Sequence, residues 1–353
     1  MYGHEELRER LATSMRAGRL PTALLLAGAP GVGKQRLGLW MGAGLLCEQG
    51  PGEPCGACHA CRLSATLSHP DLHWFFPIVR PKGEEDRQAD EAEELLAQAV
   101  QARREQPLYA RPDGMAGIFL PLVRVLHRSA QMRPAMGKRK VFVIGEAERL
   151  VPQASSPEAA NALLKVLEEP PPDTYFVLTA AEPASLLPTI RSRLVQLRVR
   201  RLRASEVARF LTEVPQPPLA PAEAKRRADL AGGSIGDALA DGGGRGDADA
   251  AARALLDAVA RGPAARLGHA LGVKPYGGRG DFSEALDATA ELLRDRLAER
   301  LRNPSAGRAG EPPATGLLQA IRDIERARTL ARGNVNPQLI VADLARLLAE
   351  RLA

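Results

Sequence analysis

Near its start the chain carries a stretch able to hold a phosphate, Gly28-Ala29-Pro30-Gly31-Val32-Gly33-Lys34-Gln35. It fits the phosphate-loop pattern as far as its lysine. Glycines at 28, 31 and 33 let backbone N–H groups curl around an anion. The helix opening behind them adds partial positive charge, and Lys34 reaches the outer phosphates. The next position calls for a Ser or Thr hydroxyl on Mg²⁺. It holds Gln35, whose longer side chain carries its amide oxygen elsewhere. A later strand, Val141-Phe142-Val143-Ile144, should run into a metal-holding aspartate and then a glutamate that orients the attacking water. It runs instead into Gly145 and Glu146. Two magnesium contacts are therefore missing. Each contact of this kind is worth on the order of a hundredfold to a thousandfold in rate, so negligible hydrolysis is expected. Weak binding of ATP or ADP is left to Lys34 and the loop backbone.

The four cysteines lie together at 47, 55, 58 and 61, separated by seven, two and two residues. Four thiolates on short spacers can close a tetrahedral site, so Cys47, Cys55, Cys58 and Cys61 are read as ligands of a structural Zn²⁺. Such a site would staple the glycine-rich excursion from Glu48 to Gly56 to the helix before it. An iron–sulfur cluster is the competing reading, because cysteines at two-residue spacing also occur in ferredoxins. Redox-active thiols are a further alternative, and clustering in a long chain favours metal over disulfides.

These groups need a scaffold. Leu7, Leu11 and Met15 mark an amphipathic helix within residues 1 to 19. Thr22 to Ala27 reads as a buried strand, and a helix is expected from Gly33 to Cys47. Residues 80 to 115 are rich in charge, with Glu84, Glu85, Asp86, Glu91, Glu93 and Glu94. They suggest an exposed, solvated insertion with a helix from Glu91 to Arg104. Lys140 to Ile144 is the clearest buried strand. Ser156 and Pro157 suit an N-cap and a first helical position, followed by Ala160, Leu163, Leu164 and Leu167 at helical spacing. Pro170-Pro171-Pro172 ends that helix. Tyr175 to Ala180 and Leu194 to Val199 read as further strands. Strands alternating with helices predict a parallel sheet covered on both faces. Beyond residue 200 the pattern turns helical, with a linker expected at Asp241-Gly242-Gly243-Gly244-Arg245-Gly246.

The chain has 353 residues, enough for two or three domains. Its 48 basic and 42 acidic residues leave a net charge of +6, a mild and dispersed excess. Aromatic residues make up 4%, which argues against base-stacking platforms and a standalone DNA-binding zinc module. Neither a membrane span nor a secretory signal is read, so a cytoplasmic location is expected.

The stretch Asn161-Ala162-Leu163-Leu164-Lys165-Val166-Leu167-Glu168-Glu169-Pro170, with the phosphate loop and the four-cysteine insert, resembles the bacterial clamp-loader AAA+ subunits. The resemblance covers residues 20 to 80 and 140 to 240. It implies an α/β core of the AAA+ P-loop type over 1–199, carrying the zinc module (47–61) and the charged insertion (80–130). A helical lid over 200–243 and a helical collar for oligomerisation over 248–353 would follow. Thr179 matches the family's first sensor position. Ser192-Arg193-Leu194 resembles its Ser-Arg-Cys motif, whose arginine reaches a neighbour's ATP. Gly233-Ser234-Ile235-Gly236-Asp237 resembles the second sensor motif, where motor subunits carry an arginine in place of Gly236. The asymmetry implies a non-catalytic stator that keeps a finger for its neighbour. The implied partners are delta and gamma/tau clamp-loader subunits in a heteropentamer and, through the complex, the sliding clamp and primer-template DNA. The alternative is an ATP-hydrolysing motor subunit of the gamma/tau type.

Overall fold

A computed structural model describes residues 1–81, 87–105, 116–150, 158–215, 217–239, 243–273, 279–302, 312–331 and 335–352. The chain divides into two compact units, one within residues 1–239 and one within 240–353.

In the first unit the order is α1 (Glu5–Arg16), β1 (Ala23–Ala27), α2 (Lys34–Leu45), α3 (His59–Ala65), β2 (Leu72–Phe75), β3 (Ile78–Val79), α4 (Gln88–Glu105), β4 (Ala116–Gly117) and α5 (Leu120–Gln131). Then come β5 (Lys140–Ile144), α6 (Glu158–Glu168), β6 (Thr174–Ala180), α7 (Pro188–Arg191), β7 (Val195–Arg198), α8 (Ala204–Glu213), α9 (Pro221–Leu230) and α10 (Ile235–Leu239). Five strands form one parallel sheet in the order β2-β5-β6-β1-β7. Every residue of β1 and β5 is buried. Successive residues point to opposite faces, so both faces are covered, as the unbroken apolar runs require. The expected α/β fold is present. β2, the short antiparallel pair β3–β4 and helix α5 were not read from the sequence.

Helix α2 lies close on the sheet because Gly38 and Gly42 share its inner face. A Cβ at Gly38 would meet Val143 Cγ1 at 2.9 Å, and one at Gly42 would meet Leu72 Cδ1 at 2.4 Å. Two buried charges tie down the loop between α5 and β5. The Asp71 carboxylate accepts N–H groups from Ala135 (2.6 Å), Met136 (2.8 Å) and Gly137 (3.3 Å). Lys140 donates to the carbonyls of Ser129 (2.8 Å) and Met132 (2.6 Å). The loop entering β5 is thus held at both ends.

His73, Phe142 and Phe176 stand in register on β2, β5 and β6. Their rings stack at 4.7 and 5.2 Å. Burial, and then the Lys140 ammonium, push the imidazole down to about 4. The unfolded chain takes up this proton below its ordinary 6.5, whereas the folded chain does so only near 4. Stability therefore falls as pH drops between those values, by up to about 3 kcal/mol. His73→Phe keeps the stack and removes the proton. Its urea midpoint is expected to fall less than that of the parent chain between pH 6.5 and 4.5. Equal losses would show that another group carries the acid sensitivity.

Helices α8, α9 and α10 pack about Val207, Phe210, Leu211, Ala224 and Ala228. The second unit contains α11 (Gly243–Arg261), α12 (Pro263–Gly272), α13 (Arg279–Arg302), α14 (Ala314–Ala331) and α15 (Pro337–Arg351). Leu255, Leu286, Leu293, Ile324 and Leu344 lie in its core. Gly243 to Gly246, expected as linker, are the opening of α11: helix hydrogen bonding outweighs glycine's entropic preference there. The expected cap at Ser156 and Pro157, and Glu84, Glu85 and Asp86 of the insertion, fall outside the described residues. No helix among the described residues is long and apolar enough to cross a membrane.

Candidate functional site

The carboxyl ends of β1, β5 and β6 converge, and the phosphate loop follows β1 directly. Gly31 (φ +71°) and Gly33 (φ +93°) occupy left-handed backbone that favours glycine, so the turn needs both. Lys34 opens α2 and is only 9% exposed. Its ammonium donates to the loop's own carbonyls at Gly28 (2.8 Å) and Ala29 (2.7 Å). Burial pushes Lys34 down to about 8, against the opposing pull of Glu148 and Glu146. The Glu148 carboxyl is raised, chiefly by burial.

Gln35 does not point into solvent. Its Oε1 accepts the indole N–H of Trp74 at 3.0 Å, and its Nε2 donates to Glu146 Oε1 at 3.4 Å. Its amide fills the space next to Gly145: a Cβ there would lie 2.5 Å from Gln35 Oε1. Thr179 is fully buried, and its hydroxyl oxygen accepts the Glu146 N–H at 3.0 Å. From the other side, Gly236 at the start of α10 donates its N–H to Gly31 O at 3.1 Å. A Cβ on Gly236 would lie 3.0 Å from Gly31 Cα, and one on Gly31 would meet Ser234 Oγ at 2.0 Å. His4 Nε2 donates to Val32 O at 2.8 Å. The structure thus brings Gly28, Gly31, Gly33, Lys34, Gln35 and Thr179 together.

The four cysteines make a second centre after α2. All four Sγ atoms lie within 4.8 Å of one another. Cys47 and Cys58 are 4.0 Å apart, and Cys55 and Cys61 3.9 Å. Four thiolates about 2.3 Å from one ion stand roughly 3.8 Å apart, so the cluster fits a tetrahedral metal. N–H groups of Cys58 and Cys61 donate to the sulfurs of Cys55 and Cys58, both at 3.4 Å, contacts that suit metal-bound thiolates. Without a metal, N–H donation from Cys58 and Ala57 pulls the exposed Cys55 thiol down to about 6, while burial pushes Cys61 up to about 12. The excursion folds back on α2, as expected: Gly52 N–H donates to Gly44 O at 3.2 Å.

Arg193 follows α7, away from the loop in its contacts. It pairs with Glu168 at the end of α6 and donates to Thr189 O at 2.9 Å. Its side chain is 37% exposed.

A family model described as DNA polymerase III, delta subunit, matches residues 3–203. The chain belongs to the DNA polymerase III delta subunit family. The DNA polymerase III subunit delta' of Yersinia pestis is 36% identical over 177 residues, 50% of this chain and 41% of that protein. DNA polymerase III subunit tau of Salmonella typhimurium is 29% identical over 215 residues, 61% of this chain and 27% of that protein. The chain spans about two fifths of the length of the curated delta' relatives it matches. A solved structure of a DNA polymerase III gamma subunit-related protein from Thermotoga maritima aligns with 97% of this chain and 99% of that one, at 15% identity and a TM-score of 0.37, too low to add to the fold argument.

Against that delta subunit family background, sequence reasoning missed Trp74, which fixes Gln35, and Glu148, whose Oε1 accepts the Ala181 N–H at 2.8 Å. Trp74 sits on a strand too short to announce itself by alternation. Glu148 is two residues beyond Glu146, and that spacing alone gives no sign of burial.

Proposed function

We propose that this chain acts as a delta'-type, non-catalytic subunit of a clamp loader. It would complete an ATP site on a neighbouring motor subunit with Arg193 while leaving its own phosphate loop without magnesium chemistry. The observation that carries the reading is the pairing of Gln35 with Gly145. The amide occupies the place of both the missing hydroxyl and the missing carboxylate, whereas the Arg193 guanidinium remains accessible at the surface. Catalysis of phosphoryl transfer is mainly electrostatic, so a site with no metal-holding oxygen there lacks its main source of transition-state stabilisation. Gly28, Gly31, Gly33 and Lys34 could still hold ADP or ATP weakly, with Gln35 and Thr179 beside them.

In this reading α8 to α10 serve as the lid over the loop, and the second unit, from about residue 248, serves as the collar. Delta and gamma/tau subunits are the partners in a five-membered ring, and the ring acts on the sliding clamp at primer-template DNA. The four cysteines hold a structural Zn²⁺, which binds the insert to α2 and takes no part in the reaction. The likeness to tau keeps a motor-subunit alternative in view, and one measurement separates the two. The purified chain is expected to show no magnesium-dependent ATP hydrolysis above background. Robust turnover abolished by Lys34→Ala would establish the motor reading instead.

A further inference from the structure

The charged insertion packs into the core through Ala92 and Leu96 of α4, and its Arg103 reaches the phosphate-loop corner. Arg103, near the end of α4, is 9% exposed. Its guanidinium carbon lies 4.6 Å from the centre of the Trp74 ring and 3.5 Å from that of Phe76. Trp74 is 7% exposed and meets Phe76 edge-on at 4.9 Å. A desolvated guanidinium over aromatic faces is among the stronger cation–π arrangements. The indole is thereby clamped between the insertion and the sheet.

The clamped indole dictates the state of Gln35. An indole N–H can only donate, so the Gln35 atom 3.0 Å away must be the carbonyl oxygen. That leaves the NH₂ end facing Glu146 Oε1 at 3.4 Å. Magnesium demands oxygen ligands at about 2.0–2.1 Å in near-octahedral array, and an amide NH₂ offers no lone pair for that purpose. The same amide guards Gly145. An added Cβ would lie 2.5, 2.6 and 2.8 Å from Gln35 Oε1, Cδ and Nε2. A side chain there requires Gln35 to swing away, and Gln35 cannot swing without breaking its bond to Trp74.

We propose that Trp74, held by Arg103 of the insertion helix, is a positioning residue that locks the Gln35 amide across the metal corner, so that the insertion itself keeps magnesium out. The proposal rests on reading the loop as a nucleotide site that has lost its metal contacts. It gives the insertion, which the sequence presents as a solvated excursion, a defined role at that site.

The test measures binding of a fluorescent ATP analogue to the full chain, with magnesium and with EDTA. The parent chain is expected to bind equally in both. Gly145→Asp alone is expected to stay indifferent to magnesium and to melt at lower temperature, because the carboxylate meets the locked amide. Gly145→Asp with Gln35→Thr restores both oxygens, and magnesium is expected to tighten its binding on the order of tenfold, the effect of about 1.4 kcal/mol. Gly145→Asp with Trp74→Phe frees Gln35 and is expected to gain a response of the same sign. A response with Gln35→Thr beside Gly145→Asp but not with Trp74→Phe beside it overturns the role of Trp74 and leaves the nucleotide-site reading standing. No response in either overturns both. A magnesium response from Gly145→Asp alone also overturns the lock.

A second readout needs no nucleotide. The chain has two tryptophans, so two indole N–H resonances. Gln35→Met and, separately, Arg103→Met are expected to shift the Trp74 signal and leave Trp40 in place. An unmoved Trp74 signal in the folded Gln35→Met chain removes the hydrogen bond on which the proposal depends.

Discussion

Arg193→Ala is expected to leave the reconstituted ring assembled and, on the finger role proposed above, to reduce turnover about a thousandfold at one neighbouring ATP site. Arginines supplied in trans to a transferring phosphoryl group are worth roughly a thousandfold to a hundred-thousandfold, and the lower figure suits a site that keeps its own magnesium and lysine. The folded chain should not notice the change. The Arg193–Glu168 pair is exposed on both sides, 37% and 44%, and such pairs contribute about 0–1 kcal/mol. The melting temperature of the isolated subunit is therefore expected to stay within a few degrees, which separates a functional loss from a structural one. Arg193→Lys should fail to rescue turnover, because an ammonium lacks the planar fork that spans two phosphate oxygens. Glu168→Gln, which leaves the guanidinium intact, should retain activity. The measurement is ATP hydrolysis by the complex in the presence of clamp and primed DNA, after loss of Arg193 in this subunit alone. Turnover equal to that of the parent complex would refute the finger assignment, whatever the other residues do.

The second large effect concerns the four cysteines. One zinc per chain is expected by elemental analysis, in a colourless protein. Its removal by a chelator is expected to lower the melting temperature on the order of 10 °C. Structural zinc contributes about 10–16 kcal/mol in isolated finger peptides. Here α2 and the sheet fold around their own core, so only the part that orders the insert is lost, roughly 3–5 kcal/mol. At about 2–4 °C per kcal/mol for a domain of this size, that gives the stated shift. Cys61→Ser should reproduce it, since Cys61 is 4% exposed and its hydroxyl replacement is a poor ligand in a buried position. Brown colour and iron in the purified chain would instead support the iron–sulfur reading. An unchanged melting curve after verified metal loss would remove the structural role altogether.

Much of the candidate site could be read from residue types alone, because the phosphate loop and the cysteine insert are local: their residues are neighbours in sequence and their chemistry depends on short spacings. The strands β1, β5 and β6 were likewise legible as unbroken apolar runs. What could not be read was the part built by distant contacts. Trp74 lies 39 residues from Gln35, and its meaning depends on a hydrogen bond that spacing does not encode. The insertion shows why charge counts mislead. Asp90, Glu93, Glu94 and Glu105 of α4 are exposed, but Arg103 is among its most buried side chains, stabilised by the two rings it covers. The glycine run at 243 to 246 failed in the opposite sense, since a local breaker signal was overridden by the helix that begins there.

The backbone contact between Gly236 and Gly31 bears on how freely position 236 can change. An arginine at 236 would bring a Cβ to 3.0 Å from Gly31 Cα, so the loop would have to retreat by a few tenths of an ångström before the new side chain could reach any phosphate. The two segments have settled into the space that a longer residue would need, and each now makes the other harder to change. A lineage that has reached this arrangement is entrenched: the return path demands concerted substitutions, and a single codon change meets a steric barrier with no immediate benefit. Packing alone would then hold position 236 to glycine, whatever the loop beside it carries.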